Sequence, residues 1–248
     1  MMIPFLSGNA LRHRCVREPM AMWLIDRYGL KGQLSLLQLN FLLHGGNLTM
    51  SNASENTGRI AECHEFWPMI RLCGGALQDQ ILAGSLDVWR GTLVCEENRS
   101  SLEKTFGSLP HERLLSSERF LSGFQYTRGD GRKTGLAKDR DDIKDSNLMI
   151  YSGQSVTRGA LFHHGFVLKY INNVELGCLL LALRLWQANG GTIGGQARLG
   201  HGRLHLELID FVDDGSAIGE YVDHVDREKE QAIAWLFRCF EKRGKVKA

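Results

Sequence analysis

Nowhere does this chain stay apolar for the ~18 residues that a membrane span requires. Its most apolar run, Leu179 to Leu185, is short and is broken by Arg184. The first residues, Met1-Met2-Ile3-Pro4-Phe5, lack the charged start and long apolar stretch of a secretory signal. The six cysteines (Cys15, Cys63, Cys73, Cys95, Cys178 and Cys239) are therefore expected to stay thiols in a reducing cytoplasm. An excess of one charge is missing too: 30 Lys and Arg against 28 Asp and Glu leave a net +2. Global basicity does not announce nucleic acid, so any polyanion site has to come from local clustering. What is present is an ordinary apolar fraction, 43% of 248 residues, enough to pack one large domain or two small ones.

Signatures of catalysis and of cofactors are equally sparse. Cys63-His64, Cys73 and Cys95 lack the C-x2–4-C and H-x3–5-H pairs that structural zinc sites favour. His163 and His164 are adjacent in a strand-like stretch, so their rings face opposite sides. No Ser/His/Asp or Cys/His order suggests a nucleophile, and Asp79 is a single carboxylate in a loop. The chain reads as non-catalytic, with no cofactor and no metal.

The chain is organised as follows. Residues 9 to 29 read as a helix with Asn9 as N-cap, kinked or split by Pro19. Leu34 to Leu43 is a second helical stretch, stopped by Gly45-Gly46. Residues 47 to 58 are polar and turn-rich, an exposed loop. A short helix over Arg59 to Leu72 is disturbed at Pro68, and residues 86 to 95 hold a strand. From Glu96 to about Asp145 apolar residues thin out, while Arg and Lys alternate with acids around the hairpin-turn signal Gly129-Asp130-Gly131. The excursion is either a solvated surface loop of mixed charge or a functional protrusion; in the second case its segment from about residue 115 to 145 cannot bury enough apolar surface to offset its ordering entropy, so a partner is expected to supply the difference. Residues 160 to 171 alternate as a strand, with Phe162, His164, Phe166, Leu168 and Tyr170 on one face. Asn172 and Glu175 form a capping-box pair for a helix that runs to Asn189 and stops at Gly190-Gly191. A strand over 203–212 and an amphipathic helix over 226–243 follow. This order suits an α+β sheet with helices on one face.

Two segments carry charge and glycine together. Gly194-Gly195-Gln196-Ala197-Arg198-Leu199-Gly200-His201-Gly202-Arg203 places four glycines in nine positions and interleaves Arg198, His201 and Arg203. With so little side chain to pack, it is either a plain turn between helix and strand or a surface for a polyanion. It is not a P-loop, because His201 and Gly202 occupy the Lys and Ser/Thr places and a strand-like stretch follows. A dinucleotide fingerprint fails likewise, since that loop must follow a strand and open a helix. The other segment, Ser7-Gly8-Asn9-Ala10-Leu11-Arg12-His13-Arg14, is a turn entering a helix, whose free N–H groups and dipole favour phosphate.

The I-P-x-x-S-G-N-x-L-R turn beginning at Ile3, paired with the later G-G-x4-G-x-G-R loop, resembles the RAMP superfamily of CRISPR-associated proteins. Within it the chain is most similar to the backbone subunits of class 1 effector complexes. Cys73-Gly74-Gly75 through Asp79-Gln80 to Gly84-Ser85-Leu86 resembles the type IV backbone subunits in particular. The resemblance covers roughly the first 95 residues and residues 147 to 212. It implies a ferredoxin-like, RRM-like palm (1–30 and 147–248), a helical finger insertion (31–95) and a protruding thumb hairpin (96–146). It further implies many copies polymerising along one guide RNA, other effector subunits as partners, and target nucleic acid paired through the guide. The residues expected to contact RNA are Ser7, Gly8, Asn9, Arg12 and Arg14 at the first turn, Arg128, Arg132 and Lys133 on the thumb, and Gly194, Gly195, Arg198, Gly200, His201, Gly202 and Arg203 in the late loop. One departure stands out. The family places a full strand before the S-G-N-x-L-R turn, whereas six residues precede Ser7 here, so a truncated start or another segment completing the sheet is expected.

Two other functions compete. A RAMP endoribonuclease that processes precursor guide RNA would use a histidine as general acid/base, with His201 the candidate. An RRM-like module unrelated to CRISPR would show stacking aromatics on its sheet face; Leu204-His205-Leu206-Glu207-Leu208 shows none.

Overall fold

The computed structural model describes residues 3–48, 56–77, 80–107, 114–127, 150–209, 211 and 214–241. In chain order, β1 (Phe5–Leu6) leads into α1 (Gly8–Leu11), a π-helical turn (Arg12–Arg17) and α2 (Glu18–Arg27). Next come α3 (Leu36–His44), α4 (Thr57–Phe66) and α5 (Pro68–Cys73), then β2 (Gly75–Leu77), β3 (Gln80–Leu82), β4 (Leu86–Val88) and β5 (Gly91–Leu93). A 3-10 turn (Glu96–Asn98) precedes α6 (Arg99–Phe106), β6 (Leu121–Thr127), β7 (Ile150–Val156), β8 (Phe162–His163) and β9 (Phe166–Leu168). The chain closes with α7 (Asn173–Ala188), α8 (Ser216–Arg227) and α9 (Lys229–Phe240). This is an α+β fold with small antiparallel sheets, in the orders β1-β5-β8, β2-β3, β4-β9 and β6-β7.

The chain divides into two compact units. The larger comprises residues 6–91 and 164–248, and its core is built around α7, which packs on α8, α5, α2 and the π-helical turn. Cys178, Leu179, Ala182, Leu183 and Trp186 of α7 are buried there, with Val16, Met20 and Leu24 from the first helix and Trp67, Ile70 and Leu72 from around α5. Each such Leu or Met, fully removed from water, contributes roughly 1.5–3 kcal/mol before entropy is counted. α7 starts at the capping box read from the sequence: Asn172 Oδ1 accepts from the Glu175 N–H at 2.9 Å, and Glu175 Oε2 accepts from the Asn172 N–H at 2.8 Å.

Several expectations are corrected. Ser7, not Asn9, caps the first helix, its Oγ accepting from the Ala10 N–H at 3.1 Å. Pro19 falls where the helix is divided, α2 beginning at Glu18 after the π-helical turn. It sits in the first turn of α2, where its missing N–H costs least, and the π-helical turn before it absorbs the mismatch. The helix expected over Arg59 to Leu72 is two helices parted at Trp67, because Pro68 can begin a helix but not continue one. The strand expected over 86–95 is two short ones, as is that over 160–171, which ends at Tyr170 in the left-handed region (φ 52°). The 203–212 segment is not a strand where it is described. It makes one bridge, Thr192 to Arg203, and residues 204–206 are instead held by Gln187, whose amide donates to the Leu204 carbonyl and accepts from the Leu206 N–H. The last helix begins earlier than expected and is divided at Glu228 into α8 and α9.

The smaller unit comprises residues 1–5 and 92–163. β6 and β7 run antiparallel in unbroken register from Leu121–Val156 to Thr127–Ile150. Phe124 and Tyr126 stack on one face, and Tyr126 stacks on Tyr151 with ring centroids 5.2 Å apart. Phe124 lies over Gly153, its cross-strand partner.

Candidate nucleic-acid interface

The first helix is pinned at its start by Gly8. A Cβ there would meet the Val88 carbonyl oxygen at 2.3 Å, so only glycine lets the helix end approach the strand β4. Asn9 is therefore free of capping duty, exposed, and lines a cleft of 480 Å³ in the larger unit. That volume lies within the ~300–1,000 Å³ range of small-molecule sites. Arg12 also lines it, with Nη2 donating to the Leu86 carbonyl at 3.3 Å.

The π-helical turn decides what else faces this cleft. Its bonding runs from i to i+5, the Glu18 N–H donating to the His13 carbonyl. Residues five apart are thereby brought into line, and Arg17 joins Arg12 and His13 in the lining. Glycine backbone supplies more of the lining. Gly45, in the left-handed region at φ 90°, closes α3, and its carbonyl accepts from the Ala76 N–H at 2.6 Å. Gly46 follows at φ 75°, where a Cβ would meet the Ala76 carbonyl oxygen at 2.2 Å. His44, the last residue of α3, stacks on His13 with ring centroids 5.5 Å apart and planes 27° from parallel.

Arg17 is the least ordinary residue in the wall: only 6% exposed, with Nη2 donating to the Gly74 carbonyl at 2.5 Å. Nη1 of Arg17 and Nε of Arg12 are buried with no hydrogen-bond partner among the described residues. Burial pushes the Arg17 guanidinium pKa down, with Arg12 adding to it; only a Cys73 thiolate would oppose them. Burial likewise pushes the neighbouring Cys73 thiol up, so it stays neutral at pH 7 and offers no counter-charge. His13 is held below the ordinary histidine range chiefly by burial; Arg14, His44 and Arg17 push the same way, and Glu18 opposes them.

The expected RNA-contacting residues separate into groups. Asn9 and Arg12 meet in the cleft, with Ser7 and Gly8 shaping its entrance by capping and close approach. Arg14 stands apart, paired with Glu18 at 2.6 Å. The late loop contributes nothing to the cleft lining among the described residues. It is a neck closed by Thr192–Arg203, where the Ile193 N–H donates to Gly202 and the Leu204 N–H to Gly191. A Cβ on Gly202 would meet the Ile193 carbonyl oxygen at 2.0 Å, whereas Gly194, Gly195 and Gly200 have open space around them. Gly191 just before the loop and Gly202 within it thus serve the neck, and Gly194, Gly195 and Gly200 the exposed tip. Arg203 is exposed and His201 half-buried; the Arg198 side chain lies outside the described residues. Arg128, Arg132 and Lys133 of the expected thumb, the Gly129-Asp130-Gly131 turn, and Asp79 also lie outside them.

Sequence reasoning missed His13, Arg17 and His44. An Arg at i and i+5 has no shared face on an ordinary helix, and the one available signal was Pro19 two residues after Arg17. Among the described residues no cluster of three or more His, Cys, Asp or Glu side chains is placed to share a metal ion. No described helix is long and apolar enough to cross a membrane.

No family model matches the sequence, and no curated protein matches it. Among solved structures, a chain of a structure titled "Type IV-B CRISPR Complex" has a similar fold, with a TM-score of 0.55 and 16% identity over 87% of this chain and 82% of that one.

Proposed function

We propose that this chain is a non-catalytic, guide-RNA-binding backbone subunit of a CRISPR effector complex, polymerising along the guide and presenting it for target pairing. The observation that carries the reading is the cleft at the first helix, lined by the exposed Asn9, by Arg12, by the buried Arg17 and by the glycine backbone of Gly45, Gly46 and Gly75. Such a lining lets a polynucleotide backbone come close, and the guanidinium groups neutralise it without reading bases. The fold likeness to a chain of a type IV-B CRISPR complex supports it, as does the S-G-N-x-L-R turn whose glycine the fold requires. The rest of the reading, namely crRNA as ligand and further copies of the chain and other effector subunits as partners, follows from the resemblance of those motifs, and a cytoplasmic setting suits the free cysteines.

The test is binding of unrelated single-stranded RNAs over a salt series, with assembly followed by sedimentation. Wild-type protein should bind all of them with similar affinity and form a ladder of oligomers on each. Arg12→Ala should weaken binding uniformly and reduce the log–log salt slope by about 0.7. A chain that stays monomeric on RNA, or sequence-dependent losses at unchanged slope, would count against the reading.

A further inference from the structure

Arg17 poses a physical problem. Its guanidinium is almost wholly buried, presents five N–H donors, and has one hydrogen bond among the described residues, to the Gly74 carbonyl. The charges that act on it are Arg12, of the same sign, and Cys73, which is neutral. No carboxylate is among them. A buried cation without a counter-charge costs several kcal/mol and persists where something supplies the missing charge. The second orphaned donor, Nε of Arg12, belongs to the same wall, and both residues line the same cleft. A planar fork with free N–H groups fits the tetrahedral oxygens of phosphate.

The His13–His44 stack lines the same cleft as these guanidinium groups. The charged groups around His13 are Arg12, Arg14, Arg17 and Glu18 on its own helical run and His44 from α3, with the Cys73 thiol behind Arg17. Glu18 is occupied by Arg14. In the absence of an anion a proton on His13 is opposed, first by burial and then by Arg14, His44 and Arg17, with Glu18 acting against them. An anion seated in the cleft reverses that balance, and by linkage the proton it draws in strengthens its own binding.

We propose that this cleft is a proton-linked phosphate site: Arg12 and Arg17 grip one phosphate group, and its arrival draws one proton from water onto His13, which is stacked on His44. In the setting of the function proposed above the phosphate belongs to the RNA backbone, and a free phosphate ion offers the same chemistry. The inference rests on that reading only for the source of the phosphate.

Sulfate is the probe, because its charge does not change between pH 6 and pH 8. Calorimetry on the nuclease-treated full chain, at constant ionic strength in chloride, should show one sulfate site whose Kd falls about tenfold from pH 8 to pH 6. Proton uptake at pH 7 should appear as a dependence of the heat on buffer ionisation. His13→Phe, which keeps a ring against His44 and removes the proton acceptor, should flatten the pH dependence. Arg17→Met should abolish the site with a melting temperature equal to or above wild type, because it removes an unpaired buried charge. A short single-stranded RNA should displace sulfate if the source is the RNA backbone; sulfate retained under saturating RNA assigns the site to free phosphate. No sulfate binding, affinity independent of pH, or wild-type binding by Arg17→Met would each overturn the proposal. RNA binding that persists without a sulfate site defeats this inference and leaves the proposed function standing. A sulfate site in a chain that ignores RNA does the reverse.

Discussion

A methyl group added at Gly177 would lie 1.9 Å from the Ala217 carbonyl oxygen and 2.9 Å from Cβ of Tyr221. Both neighbours are buried parts of α8, so the crossing of α7 and α8 depends on that missing side chain. Gly219, in α8 itself, is exposed with nothing within 4 Å of a Cβ. The same Gly→Ala change therefore carries opposite signs at the two sites. At Gly177 the helices have to part, and overpacking of this kind costs about 1–3 kcal/mol. At Gly219 the unfolded chain loses freedom and the helix gains a better former, worth about 0.4–1 kcal/mol. Thermal unfolding of the two variants should bracket the wild-type midpoint; equal shifts in one direction would contradict the packing described.

At the scale of elements, Glu97 ties the turn before α6 to residues 116–117. Its carboxylate accepts from the Ser116 hydroxyl at 2.7 Å and from the Ser117 N–H at 2.9 Å. These bonds, the Ser116 hydroxyl first, pull its pKa down to about 2. A depressed carboxylate pKa contributes stability that is present above the unfolded value near 4.3 and is lost as pH falls through the folded one. The tie should therefore persist at pH 3, where free carboxylates are already protonated. An NMR titration should place the Glu97 midpoint well below the ordinary glutamate value, and Ser116→Ala should raise it; a midpoint near 4.3 in wild type would remove the tie.

Elements were legible in the sequence where one local signal acts alone. The Asn172/Glu175 box starts α7 as read, and Gly45 ends α3 as read. They were not legible where a partner decides. Asn9 looks as good a cap as Ser7 until Gly8 is seen pressed on β4. Leu204 to Leu208 alternates like a strand, yet Gln187 takes its backbone bonds in place of a neighbouring strand. The glycines and Arg12 of the candidate interface could be read from their motif. Arg17 and His44 could not, because a π-helical turn and a left-handed glycine, neither with a periodicity of its own, bring them to the cleft.

For the whole molecule, the two units differ in what holds them. The hydrophobic core lies wholly in the larger one, from Leu11 through Leu236. The smaller unit buries Leu93, Val94, Cys95 and Leu102, and its β6–β7 pair is a two-stranded ribbon whose side chains alternate between exposed and half-buried. A lone two-stranded ribbon is marginal in water, so its stability sits at the low end of the range a chain can show. Hydrogen exchange followed by mass spectrometry should find amides in 121–127 and 150–156 exchanging well before those of α7 in the free chain. If the chain assembles on RNA as proposed, the ligand stabilises whatever it and neighbouring copies touch. Protection in the ribbon should then rise by more than tenfold, roughly 1.4 kcal/mol of added stability against local opening. In α7, already bounded by the global stability, the change should be smaller. Equal exchange in the two units without RNA would show that the ribbon is braced by more than its own pairing. A ribbon left unprotected on saturating RNA would show that the smaller unit takes no part in the assembly.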